Sequence, residues 1–310
     1  MIDKKEVFIH IGYPKTATTT LQNHFFKNLN GFDLIGQPLT RENSDMQKFI
    51  HKITDSEALE YDEEKIKEEL NHFLTDNKNI IISEESFSTG SSLSGRVDRV
   101  QIAKRLKSLF HNAKIILVLR EQKSIVKSYY LQKKKIDEYF EMTFNEWFEY
   151  NKNNLHKENV FQYFNYYEIV GVYEELFGKD NIKLLCFEEF KTDKNIFLNN
   201  LLKFCGLSKL DIEKHISSLD HKHDNQTVTK ELIRLKKLNK KFSFFKKIIP
   251  QKIKNLITKK AKYGEKLEVL LSEDQINFIN SLYSDSNYNL MTSYKLQLYK
   301  YNYALEKQNV

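Results

Sequence analysis

An apolar run, Val7, Phe8, Ile9 and Ile11, is cut short by Gly12 and Pro14 and followed at once by Lys15 and by Thr16, Thr18, Thr19 and Thr20. No other stretch constrains the fold as tightly. A short, β-branched-rich run of this kind reads as a buried strand of a parallel sheet. Beyond the turn, Leu21, Phe25, Phe26 and Leu29 recur at helical spacing, so a helix starts within or just after the Thr cluster. The free N–H groups and positive dipole end of that helix face the turn, and Lys15 adds a full charge beside them. Strand, turn and helix together form a cradle for phosphate or sulfate; a tight turn capped by Thr is the plain structural alternative.

The nucleoside-triphosphate loop needs four residues between two glycines, then Lys and a Ser or Thr. Here Gly12 lies only three residues before Lys15 and no second Gly precedes the Lys, which disfavours an ATP or GTP site but not a related fold. The segment YPKTATTT, Tyr13 to Thr20, resembles the 5′-phosphosulfate loop of the sulfotransferases that use 3′-phosphoadenosine 5′-phosphosulfate (PAPS). That resemblance implies cofactor contacts from Lys15, Thr16, Ala17, Thr18, Thr19 and Thr20. The departure is Ala17, where the family usually has Gly. The loop therefore either holds Ala17 in an ordinary backbone conformation or accepts strain there.

A second segment has the same logic. In NAKIILVLREQKSIVKSYYLQ, Asn112 to Gln132, the apolar run Ile115 to Leu119 ends at Arg120, and Ser128 follows eight residues after the Arg on a helical pattern. A strand-end Arg and a helix Ser at this separation resemble the family's 3′-phosphate motif. A terminal phosphate calls for a donor that stays charged, which the planar Arg fork supplies, and Ser128 adds a neutral hydroxyl bond. The alternative is an Arg capping a strand and a solvated Ser.

Strands are expected at 6–11, 79–83, 114–119 and 182–187, with a short one near 32–35, and helices fill most gaps. This alternation predicts an α/β fold in three layers, a mainly parallel sheet flanked by helices with ligands at the carboxyl ends of its strands. The resemblance implies that the fold is P-loop NTPase-like with helical C-terminal additions. The segment from Glu158 to Ser208 and the carboxyl end, LSEDQINFINSLYSDSN followed by YKLQLYKYNY, also resemble bacterial carbohydrate-type sulfotransferases.

Sulfuryl transfer moves a neutral SO3 unit through an in-line, loosely bonded transition state comparable to phosphoryl transfer. The protein must place the acceptor, remove its proton, and stabilise charge on the departing phosphate oxygen, the last being a task for Lys15. The strand NIIISEESFS ends in Glu84 and Glu85. In the glycan-modifying branch of the family a Glu after this strand is the base, and in the small-molecule branch a His is. Neighbouring strand residues point to opposite faces, so one of the two acids is expected at the site. Glu85 is preferred over Glu84; both also read as charged residues ending a strand.

With 310 residues, 40% apolar and 13% aromatic, the chain can bury a large core, and the absence of linkers or repeats predicts a single domain over 1–310. The first apolar stretch is too short and broken for a secretory signal, which points to a cytoplasmic protein. Cys186 and Cys205 read as reduced core residues. His221 and His223 lack the partners of a metal site, and sulfuryl transfer needs no metal. Asn225 to Thr227 matches a glycosylation triplet without meaning in that compartment. Lys133 to Lys135 read as a solvated helix face.

A net charge of +7 suggests attraction to anions. Much of it lies in Lys240 to Lys262, either an amphipathic element on an anionic membrane at the inner face or a basic helical excursion over 240–265 packed on the domain. The expected function is transfer of a sulfuryl group from PAPS, with 3′-phosphoadenosine 5′-phosphate (PAP) as product, to a hydroxyl of a carbohydrate or glycolipid acceptor, with no nucleic-acid partner. The alternatives are a nucleotide kinase-like P-loop enzyme and a non-catalytic basic binding protein.

Overall fold

The computed structural model describes residues 4–90, 97–137, 140–156, 159–218, 228–241 and 264–305. Five strands, β1 (Val7–His10), β2 (Phe32–Gly36), β3 (Asn79–Ser83), β4 (Lys114–Leu119) and β5 (Ile182–Cys186), form one sheet in the order β2-β3-β1-β4-β5. Every neighbouring pair is parallel, so the mainly parallel sheet expected from the strand–helix alternation is wholly parallel among the described residues. The expected strands are all present with edges moved by a residue or two. Phe187, for example, already begins the helix Phe187–Thr192.

The runs of Ile, Val and Leu explain why β1, β3 and β4 sit at the centre. All four residues of β1 are buried, as are Ile80 to Ser83 of β3 and Ile115 to Leu119 of β4. Side chains alternate across the sheet. Phe8, Ile81, Ile116, Val118 and Leu185 pack on one face with Leu21, Phe25 and Phe26 and with Phe197, Leu198 and Leu201 of the helix Lys194–Phe204. Each such side chain, fully buried, contributes roughly 1.5–3 kcal/mol of transfer free energy. The helix Tyr166–Phe177, which packs against β4 and β5, contributes nothing to that cluster and belongs to the other face.

Register places the carboxyl ends of β1 and β3 level, while β4 runs on to Leu119, three residues past Ile116, the partner of His10. His10 pairs with Ser83 across β1 and β3, and Ile11 N donates to Ile116 O at 3.0 Å where β1 leaves β4. The segments after β1, β3 and β4 therefore leave the sheet on the same edge, where parallel α/β sheets hold their ligands.

The chain divides into two compact units. The first, Met1–Glu121 with Asn165–Lys222 and Ser281–Val310, holds the sheet. The second is Gln122–Phe164 with His223–Asn280. It contains the helices Gln122–Ile136, Phe144–Lys152, Val160–Tyr163 and Lys230–Lys241 around an aromatic core. There Tyr130 meets Phe144 at 5.2 Å and Trp147 at 5.4 Å, and Phe148 meets Phe161 at 5.0 Å and Phe278 at 5.7 Å between ring centroids. Thr143 and Glu146 form a capping box at the start of Phe144–Lys152. Lys133 and Lys134 lie over the Phe140 ring at 5.2 and 5.4 Å.

The helices Lys230–Lys241 and Glu273–Tyr294 are the expected helical additions towards the C-terminus. Of the basic stretch, residues 242–262 lie outside the described residues, as do His221, His223 and Asn225 to Thr227. No described helix is long and apolar enough to cross a membrane. Cys186 and Cys205 are buried free thiols, and burial pushes Cys205 up to about 12, in keeping with inert core residues.

Candidate active site

The segment after β1 folds into a tight cradle. Lys15 has φ 71° and Ala17 φ 64°, both left-handed and neither a glycine. Of the two conformations open to Ala17, the loop adopts the strained one. Thr16, fully buried between them, donates its hydroxyl to Tyr13 O at 2.6 Å and so closes the turn from inside. The helical stretch then opens with Thr18–Thr20 and passes through a π turn, Leu21–Phe25, into a 3₁₀ turn, Phe26–Asn28. The π turn puts Leu21 and Phe25 into the core while the first turn's N–H groups stay at the loop. Lys15 is half-buried and Thr19 exposed, while Thr18 and Thr20 are buried.

Gly12 is required by packing. A Cβ there would lie 2.6 Å from the His10 ring and 2.7 Å from Thr18 Cγ2. The His10 ring thus forms the floor of the cradle.

Arg120, directly after β4, reaches the loop: its Nη1 donates to Lys15 O at 2.7 Å. The two segments read from the sequence as binding opposite ends of one ligand therefore meet. The guanidinium carbon lies 4.7 Å from the centre of the Phe187 ring, a cation–π distance. Burial lowers the Arg120 pKa, the Glu188 carboxylate opposes this, and the group stays charged. Tyr166 Oη donates to Arg120 O at 2.6 Å, and Glu121 N donates to Glu188 Oε1 at 3.0 Å, which fixes the backbone on both sides of the Arg. Tyr303 Oη donates to Glu188 Oε2 at 3.2 Å.

The two acids after β3 have different environments. Glu84 turns back on its own chain: Oε1 accepts from Glu85 N at 3.0 Å and Ser86 N at 3.5 Å, at the start of the helical turn Ser86–Thr89. Burial, with the Glu85 charge second, pushes its pKa up to about 7. Glu85 faces the cradle, where its Oε1 accepts a short hydrogen bond from the Thr18 hydroxyl. Burial raises the Glu85 pKa too, against the Thr18 bond and the positive charges of Lys15 and Arg41.

A polar cluster under the loop has no counterpart in the sequence reading. His10 Nδ1 and Ser83 Oγ are 2.8 Å apart, and Gln22 Nε2 donates to the same Oγ at 3.0 Å. Burial pushes His10 down to about 3, so it is neutral, and its buried Nε2 has no hydrogen-bond partner. One His inside an otherwise apolar run was the visible signal. Arg41, Glu188 and Tyr166 carried none, since they come from distant segments. Ser128 lies half-buried on Gln122–Ile136 in the second unit. Among the described residues no group of His, Cys, Asp and Glu is placed to hold a metal ion.

Comparison with known proteins gives the family. The model of the sulfotransferase domain matches residues 4–268. No curated protein sequence matches the chain. Among solved structures, a sulfotransferase from Alicyclobacillus acidocaldarius is 15% identical with a TM-score of 0.48, covering 69% of this chain and 90% of that one. A mouse sulfotransferase complexed with PAP is 15% identical with a TM-score of 0.48, covering 96% and 88%. The sulfotransferase domain from the curacin biosynthetic pathway is 14% identical with a TM-score of 0.40, covering 89% and 96%. With most of its length matched by that domain, and a parallel sheet carrying the loop, the chain belongs to the sulfotransferase family.

Proposed function

We propose that the protein transfers the sulfuryl group of PAPS to a hydroxyl of a carbohydrate acceptor, such as a surface glycan, an oligosaccharide or a glycolipid, with Glu85 as the base. The observation that carries this reading is the hydrogen bond from the Thr18 hydroxyl to Glu85, which joins a carboxylate to the anion cradle itself. The residues present fit the donor. Gly12 lets the turn lie directly on the His10 ring and on Thr18; Lys15 and the first-turn N–H groups offer positive charge to the phosphosulfate, and Arg120 offers a fork to the 3′-phosphate. Thr16 and Ala17 shape the loop, Thr18 contributes its N–H group, and Thr19 and Thr20 contribute N–H groups and hydroxyls.

PAPS supplies the SO3 unit on a phosphate leaving group. Glu85 takes the proton from the acceptor hydroxyl as its oxygen attacks, and Lys15 stabilises the charge that grows on the departing phosphate oxygen. Glu84 is the second carboxyl, bonded to backbone and held nearer its neutral form. The carbohydrate acceptor is favoured by an acid, rather than a His, after β3. His10 does not substitute, because it is fully buried and neutral beneath Gly12.

Incubation with radiolabelled PAPS and panels of glycans, glycolipids, phenols and steroids tests this. Label is expected on a glycan or glycolipid, and Glu85→Gln is expected to lower kcat by roughly 10²–10⁴ while PAP affinity changes by less than about tenfold. Label on phenols or steroids alone would reassign the acceptor. Stabilisation by ATP with magnesium, with no effect of PAP, would favour a kinase-like enzyme instead.

A further inference from the structure

The guanidinium of Arg120 has five N–H donors, and one of them is committed to Lys15 O at 2.7 Å. That carbonyl belongs to the first of two non-glycine residues held at positive φ, Lys15 at 71° and Ala17 at 64°. L-residues rarely keep this conformation unless the surroundings enforce it. Three side-chain bonds do so here: Thr16 to Tyr13 O from inside, Thr18 to Glu85 on the β3 side, and Arg120 to Lys15 O on the β4 side. Of the three, only Arg120 grips a backbone group of a left-handed residue.

Arg120 is itself braced. Its carbonyl accepts from Tyr166, the next N–H is taken by Glu188, Tyr303 holds the other Glu188 oxygen, and the guanidinium lies over Phe187. The Tyr166 ring also packs on Tyr13 at the start of the loop, 5.0 Å between centroids, so the brace holds the donor and the base of the loop together.

We infer that Arg120 is a positioning residue for the 5′-phosphosulfate cradle as well as the grip for the 3′-phosphate. By holding the Lys15 carbonyl it keeps the Lys15 to Thr18 turn in its anion-binding shape, so the two ends of the donor site are coupled through one side chain. This rests on the donor reading above.

The test uses one ligand that carries the 3′-phosphate and one that carries only the 5′-phosphosulfate. Adenosine 5′-phosphosulfate lacks the 3′-phosphate. A residue that served the 3′-phosphate alone would leave its affinity unchanged on substitution. Calorimetry of the full chain with PAP and with adenosine 5′-phosphosulfate is expected to show binding of both to the wild type. In Arg120→Ala both affinities are expected to fall, the second by about tenfold, the usual effect of losing one charge-assisted bond. At saturating PAPS, kcat is expected to fall as well as KM to rise. Unchanged adenosine 5′-phosphosulfate affinity beside weakened PAP binding would overturn the coupling and leave the donor reading intact. Failure of the wild type to bind PAP would remove the donor reading and this inference with it.

Should Arg120→Ala not fold, Arg120→Lys serves, because a single ammonium cannot keep the fork's geometry at both partners. Amide hydrogen exchange in the ligand-free variant is expected to quicken by about tenfold at Thr16 to Thr20 with β1 and β4 unchanged. Equal protection of the loop in the two proteins would refute the positioning role.

Discussion

Ala17 and Lys15 set the local energetics of the loop. A left-handed backbone costs an L-residue roughly 1–2 kcal/mol, and glycine's extra freedom in the unfolded chain costs roughly 0.5–1 kcal/mol. Ala17→Gly is therefore expected to stabilise the protein by under about 1 kcal/mol, a rise of about 1–2 °C in calorimetric Tm. Ala17→Val, β-branched at φ 64°, is expected to lower Tm and donor affinity together. Gly12→Ala drives a methyl into the His10 ring and Thr18. The expected cost is roughly 1–3 kcal/mol in a denaturant melt, with PAP binding lost. At this scale the sequence showed Lys15, the Thr cluster and the departure at Ala17. It did not show that both Lys15 and Ala17 take positive φ, because that depends on bonds from Glu85 and Arg120, remote in sequence.

Where β1 and β3 end side by side, element pairing produces chemistry that neither strand holds alone. Register sets His10 beside Ser83, and Ser83 Oγ satisfies both His10 and Gln22. Ser83→Ala leaves two buried polar groups without that partner and is expected to cost roughly 1–3 kcal/mol, measured by denaturant unfolding. One residue on, Glu84 links the strand end to pH. Its folded pKa of about 7 lies above the ordinary 4.5, so the folded state binds the extra proton across that interval. Stability therefore falls as pH rises from about 4.5 to about 7. Glu84→Gln, which mimics the neutral acid, is expected to flatten that decline in Tm against pH. A slope identical to wild type would show that other groups dominate. Activity has the opposite sign under the proposed role of Glu85 as base: the carboxyl must lose its proton to act, so kcat is expected to rise with pH through its raised pKa. The sequence left Glu84 and Glu85 as alternatives because strand alternation cannot say which one the next helical turn captures. The Glu84 bonds to Glu85 N and Ser86 N supply that answer.

Across the whole molecule, the strands were the most legible part. Each is a short, mainly apolar run, and Gly12, Gly36, Glu84 and Arg120 mark the ends of the first four; hydrophobic burial at the centre of a parallel sheet demands such runs. Strand order was not legible, since β1 lies between β3 and β4 through long-range pairing. Nor was the braced Arg120, which draws Tyr166, Phe187, Glu188 and Tyr303 from segments far along the chain. The division into two compact units has no linker signal, because the chain passes from Glu121 to Gln122 where β4 gives way to a helix.

The central claim is that the Lys15 to Thr20 cradle and Arg120 grip one bisphosphorylated adenosine. Titration calorimetry with PAP, compared with ADP and with ATP plus magnesium, tests it most directly. The account predicts one PAP bound per chain, at least about tenfold tighter than ADP, since the 3′-phosphate contributes a charge-assisted contact. No heat with PAP, or tighter binding of ATP with magnesium, would contradict it.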